Sequence, residues 1–85
     1  MQLANTVDAM LSDNYKDRFI AEYYQTKIRY DKLHNTIIKM EAGTLGFEPK
    51  CDIGLLKGQA SYMGQYLYTL EVRAEIENID LTLPL

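Results

Sequence analysis

The sequence predicts an all-α fold: an antiparallel two-helix hairpin with a short N-terminal helix, assembling as a homo-oligomeric helical bundle. Three observations predict it. Apolar residues recur in alternating steps of four and three along two long segments. A short connection carrying Gly43, Gly46 and Pro49 separates those segments. Each segment also bears a second apolar face that a lone hairpin would leave in water.

Residues 1–12, with Leu3, Val7, Met10 and Leu11 at helical spacing, read as an arm or short helix. Ser12 and Asp13 offer side-chain oxygens to cap the start of a longer helix. That first long helix is expected over about 13–42, its seam formed by Phe19, Tyr23, Thr26, Tyr30, Leu33, Ile37 and Met40. Gly43 stands where a left-handed residue ends a helix. The loop is 43–51, with Phe47 expected to fold back over the hairpin end, and Asp52 or Cys51 caps the next helix. That helix, about 52–78, repeats the spacing with Ile53, Leu56, Ala60, Met63, Leu67, Leu70 and Ala74. Asn78 tolerates the left-handed conformation needed at its end. The hairpin unit is thus 13–79, and 80–85 is an extended tail of alternating leucines.

A short loop between long helices makes the antiparallel arrangement economical. It pairs large with small: Phe19 with Ala74, Tyr23 with Leu70, Tyr30 with Met63, Leu33 with Ala60, Ile37 with Leu56. The second apolar surface comprises Ile20, Tyr24, Ile28 and Ile38 on the first helix, and Leu55, Tyr62, Val72 and Ile76 on the second. Copies of the chain would cover it. The stretch GLLKGQASYMG, Gly54 to Gly64, accepts three glycines in a helix, each costing ~1 kcal/mol relative to alanine. Gly54, Gly58 and Ser61 share an outward stripe, open to a backbone or a ligand; tolerated surface glycines are the alternative.

Eighty-five residues make one domain with a modest core. Nine Lys and Arg against twelve Asp and Glu give a net charge of −3, which excludes duplex nucleic acid as the main partner. A single cysteine, Cys51, permits no internal disulfide and fits a reducing cytosol. The chain shows neither a signal peptide nor a run of transmembrane length, so no membrane association is expected. The chain is expected to be soluble and intracellular. Seven tyrosines and no tryptophan are the compositional outlier.

Catalytic chemistry finds no footing. His34 flanks the seam opposite Lys57, in no metal-ligand spacing. Cys51 reads as a capping or packing residue, and nucleophile and phosphate-loop motifs are missing. No catalytic residue, metal or cofactor is expected. One polar edge can bind: Glu22, Arg29 and Thr36 face Arg73, Tyr66 and Gln59 across the hairpin. Guanidinium forks suit phosphate, and a tyrosine ring stacks on a base. The candidate ligand residues are therefore Arg29, Tyr66 and Arg73, with Gly58 on the open stripe, joined by Tyr24, Lys27 and Tyr68 if a site forms between protomers. The alternative for this edge is a Glu22–Arg73 salt bridge with ordinary flanks.

The landmarks KLHNTIIK, EAGTLGFEPKC and LEVRAEIENI, within a run from about Asn14 to Leu81, resemble a group of small phage and prophage proteins related to a crAss-like phage protein. The chain departs from that group where its members have proline after the cysteine and glutamates at the positions of Gly54 and Gly58. The resemblance implies a phage accessory protein and supplies no activity. A looser likeness, of architecture alone, is to phage counter-defence sponges that are helical hairpins and hold nucleotide signals between subunits. Together these suggest a non-enzymatic protein that binds itself and sequesters a cyclic nucleotide or ADP-ribose-type immune signal. A small interaction protein directed at a host or virion protein is the alternative, since tyrosine and arginine also favour protein interfaces.

Overall fold

The structure, a computed structural model, describes residues 2–82. Within them lie a 3-10 turn at Leu3–Thr6 and three α-helices: α1 at Val7–Met10, α2 at Tyr15–Ala42 and α3 at Ile53–Glu77. The described part is all-helical. Its longest dimension, 43 Å, is that of α2 at ~1.5 Å per residue. No helix among the described residues is long and apolar enough to cross a membrane.

Each long helix is bounded by chemistry visible in its sequence. Asn14 caps α2, its side-chain oxygen accepting the Lys16 amide at 2.9 Å. The expected caps, Ser12 and Asp13, lie outside the helix: Ser12 instead donates to Asp17 at 2.9 Å and accepts the Asn14 amide at 3.0 Å, bracing the corner. At the other end Gly43 takes φ +74°, and the Gly43 and Thr44 amides close back on Met40 and Lys39. This double closure satisfies carbonyls that the helix end would orphan. Asp52 caps α3 by accepting the Leu55 amide at 2.7 Å. Asn78 ends α3 in the left-handed region, at φ 56°.

Contacts between α2 and α3 run Tyr15 to Glu77, Tyr23 to Glu71, Glu22 to Tyr66 and Glu41 to Lys57. From the first of these to the last, the number on α2 rises while that on α3 falls. Every seam residue named from the sequence is buried or half-buried. The burial is uneven, however. The core gathers Phe19, Tyr23, Leu67, Leu70, Ala74 and Ile79, far from the loop, with Ile20, Tyr24, Tyr30 and Leu81 against it.

The two chain ends explain that asymmetry. The N-terminal arm lies on α2, where the buried methyl of Ala21 leaves room for it. Thr6 is fully buried beneath it; its hydroxyl donates to the Leu3 carbonyl at 2.7 Å and accepts from Gln25 at 3.0 Å. At the other terminus Ile79 turns into the core and Tyr24 donates to the Leu81 carbonyl. Ile20, Tyr24 and Ile28, expected to be wet, are therefore half-buried.

Two expectations are corrected. The start of the tail is not extended: Asp80 accepts from both the amide and the hydroxyl of Thr82 and closes a turn, which also holds its carboxyl below the usual range. The part of the tail at 83–85 lies outside the described residues. Phe47 does not close over the loop end but stands 66% exposed.

Candidate functional site

The polar edge forms, with different partners from those expected. Arg73 does not meet Glu22. Its guanidinium lies 5.1 Å from the Phe19 ring centre, donates to the Tyr15 hydroxyl at 2.9 Å, and contacts Glu77 one turn along its own helix at 3.4 Å. A carboxylate at i+4 and an aromatic face across the seam hold it there. Glu22 accepts instead from the Tyr66 hydroxyl at 2.5 Å. The hydrogen bond to Glu22 raises the Tyr66 pKa, burial adds to this, and the Arg73 charge opposes it. Tyr15 is raised likewise, first by its hydrogen bond to Glu77.

These bonds make the edge a latch between the helices. Arg73 spends Nε on Glu77 and Nη2 on Tyr15, which leaves its Nη1 corner free of a protein partner among the described residues. Arg29 is exposed and makes no hydrogen bond or ion pair among the described residues. The other candidates lie elsewhere. The Tyr24 hydroxyl is engaged by Leu81, Lys27 pairs with Asp31 at 3.4 Å, and a Cβ at Gly58 would find nothing within 4 Å.

On the opposite flank the helices part around a groove that sequence reasoning missed. It has a volume of about 640 Å³ and is lined by Tyr30, Lys57, Ser61, Gly64, Gln65 and Tyr68, among others. Its floor exists because Gly64 faces α2: the Tyr30 ring lies against it, 3.6 Å from where a Cβ would stand. Tyr30 in turn stacks nearly parallel on His34, 5.9 Å between ring centres and 7° between planes. Lys57, expected opposite His34, pairs with Glu41. The sequence singles out Tyr68 and Ser61 separately, but periodicity cannot tell which distant ring Gly64 admits, so it does not join them into one groove.

Gly54, Gly58 and Ser61 face outward on α3 as expected, beside exposed Leu55, Tyr62, Val72 and Ile76. Among the described residues no group of three or more His, Cys, Asp or Glu could hold a metal ion. Cys51 is exposed.

Two long paired helices, a latched edge, a tyrosine-rich groove and an unpartnered apolar face define a small all-helical protein with surfaces suited to binding. No curated protein and no solved structure matches the chain. The Sequestin family model does match it, over residues 13–76, and the chain belongs to that family. The matched span takes in α2, the loop and all but the last residue of α3. The family name is compatible with a sequestering function.

Proposed function

We propose that this protein is a phage-encoded, non-enzymatic counter-defence protein that captures a nucleotide-derived immune signal and holds it. In this reading the chain is an antiparallel helical hairpin that assembles with copies of itself in the cytoplasm of the bacterial host. Membership of the Sequestin family is the observation that carries it. Sequestration requires affinity and abundance, not turnover, and a small rigid oligomer can supply both.

Self-association draws its support from α3. Leu55, Tyr62, Val72 and Ile76 stand exposed on the side away from α2, an apolar stripe rimmed by polar residues of the kind that marks an interface. Phage affiliation draws on the motif resemblance.

The test is a melting experiment followed by recovery of the ligand. A molecule that binds only the folded state raises its melting temperature by mass action. Cyclic dinucleotides, cyclic trinucleotides and ADP-ribose are tried in turn; at least one raises the melt and is recovered chemically intact after heat releases it. Recovery of an altered product would replace the sponge with an enzyme. An unshifted melt across the series would favour the second reading, an interaction protein, to which the exposed Tyr62 and Tyr68 lend themselves.

A further inference from the structure

The groove beside Gly64 differs in charge from the other depressions of comparable size. None of its lining residues is a carboxylate, and Lys57 stands at its rim. The depression at the C-terminal end of α3 is lined by Glu71, Glu75 and Asp80, and the one before α3 by Glu48 and Asp52 beside Lys50. In a protein of net charge −3, the groove is the one of these three lined by a lysine and no carboxylate, which favours an anion there.

The groove also offers two aromatic faces in different states. Tyr30 is half-buried and braced by Gly64 beneath it and His34 against its face. Tyr68 is 67% exposed and forms no ring pair among the described residues. One ring is set in place and the other is open to receive a flat partner. Between them lie Ser61 and Gln65, linked at 3.4 Å. These are the parts that a base and its sugar use: a stacking face, and donors and acceptors at its edge.

We propose that this groove is the ligand site and that it takes a phosphorylated nucleoside. The base stacks on Tyr68 above the floor made by Gly64 and Tyr30, and the phosphate meets Lys57 and the Ser61 hydroxyl. Lys57 exchanges Glu41 for the phosphate, an exchange that costs little because the pair is about half exposed on both sides. The groove is shallow and open to solvent, so it holds one face of a ligand and leaves the other free. The proposal rests on the sequestering reading and gives it a place on the molecule.

The experiment measures binding of ADP-ribose and of a cyclic dinucleotide by calorimetry, with unphosphorylated adenosine as a third probe. The variants are Lys57→Glu, Tyr68→Ala and Gly64→Leu in the groove, and Arg29→Ala and Arg73→Ala on the latched edge. For whichever phosphorylated probe binds, Lys57→Glu and Tyr68→Ala each weaken binding about tenfold or more, and adenosine binds more weakly than that probe. Lys57 and Tyr68 are exposed, so both variants fold, Lys57→Glu with a slightly lower melting temperature because it faces Glu41; they decide the matter if Gly64→Leu fails to fold. Full affinity in both groove variants, with loss in Arg29→Ala or Arg73→Ala, would move the site to the other edge and leave sequestration standing. No binding of either phosphorylated probe by the wild-type protein would remove the nucleotide reading and this site with it.

Discussion

Tyr23 shows how one side chain can tie stability to pH. Its ring belongs to the core and its hydroxyl donates to Glu71 at 2.8 Å. Burial, and then that hydrogen bond, push its pKa from 10.0 up to about 12. The folded state holds this proton more tightly than the unfolded chain does, so the contribution is complete below pH ~10 and is lost as pH rises toward 12. Tyr23→Phe should flatten the fall of urea-measured stability across that window relative to wild type. Two glycines make an opposite pair at the same scale. Gly43 occupies φ +74°, so Gly43→Ala should cost ~1 kcal/mol, whereas Gly58 is helical with open space around it and Gly58→Ala should gain ~0.5–1 kcal/mol. Chemical denaturation of the two variants checks both signs.

At the scale of elements, the pairing of α2 with α3 is strong at one end and loose at the other. Leu70 is fully buried in the cluster beneath the chain termini, while Leu56, nearer the loop, is half-buried. Leu70→Ala should therefore cost ~2–5 kcal/mol, and Leu56→Ala distinctly less, in the same denaturation assay. Amide exchange should track the gradient, slower through Leu67–Ala74 than through Ile53–Ala60, because local opening begins where few apolar contacts resist it. The caps act on the loose end. Asp52→Ala removes the acceptor of the Leu55 amide and should cost ~1 kcal/mol, with exchange at the start of α3 accelerating first.

For the whole molecule the decisive quantity is the apolar surface that one chain leaves outside. The arm and the turn after α3 cover much of α2, but Ile76 remains 74% exposed and Tyr62 73% on α3. If copies meet there, wild-type protein sediments as a defined oligomer, and Ile76→Asp sediments as a smaller species while keeping its helical circular dichroism. Wild-type protein sedimenting as one chain would refute the assembly and turn this face toward another partner.

The amino-acid sequence by itself determined the helices and their ends, because periodicity, Gly43, Asp52 and Asn78 act within a few residues of where they stand. It determined the seam too, since the steps of three and four name the side that must leave water. What it left open was long-range. One local choice was open as well: Ser12 and Asp13 are the expected caps, yet Asn14 takes the Lys16 amide while Ser12 turns to Asp17. Arg73 had several possible partners within reach, and the position of Phe19, Tyr15 and Glu77 around it decided against Glu22. The groove belongs to the tertiary structure alone: Tyr30 and Gly64 stand far apart in the chain, and only the packing of α2 on α3 sets a ring over a missing side chain. Local chemistry is written in sequence order, whereas a binding surface is a product of which distant residues the fold brings side by side.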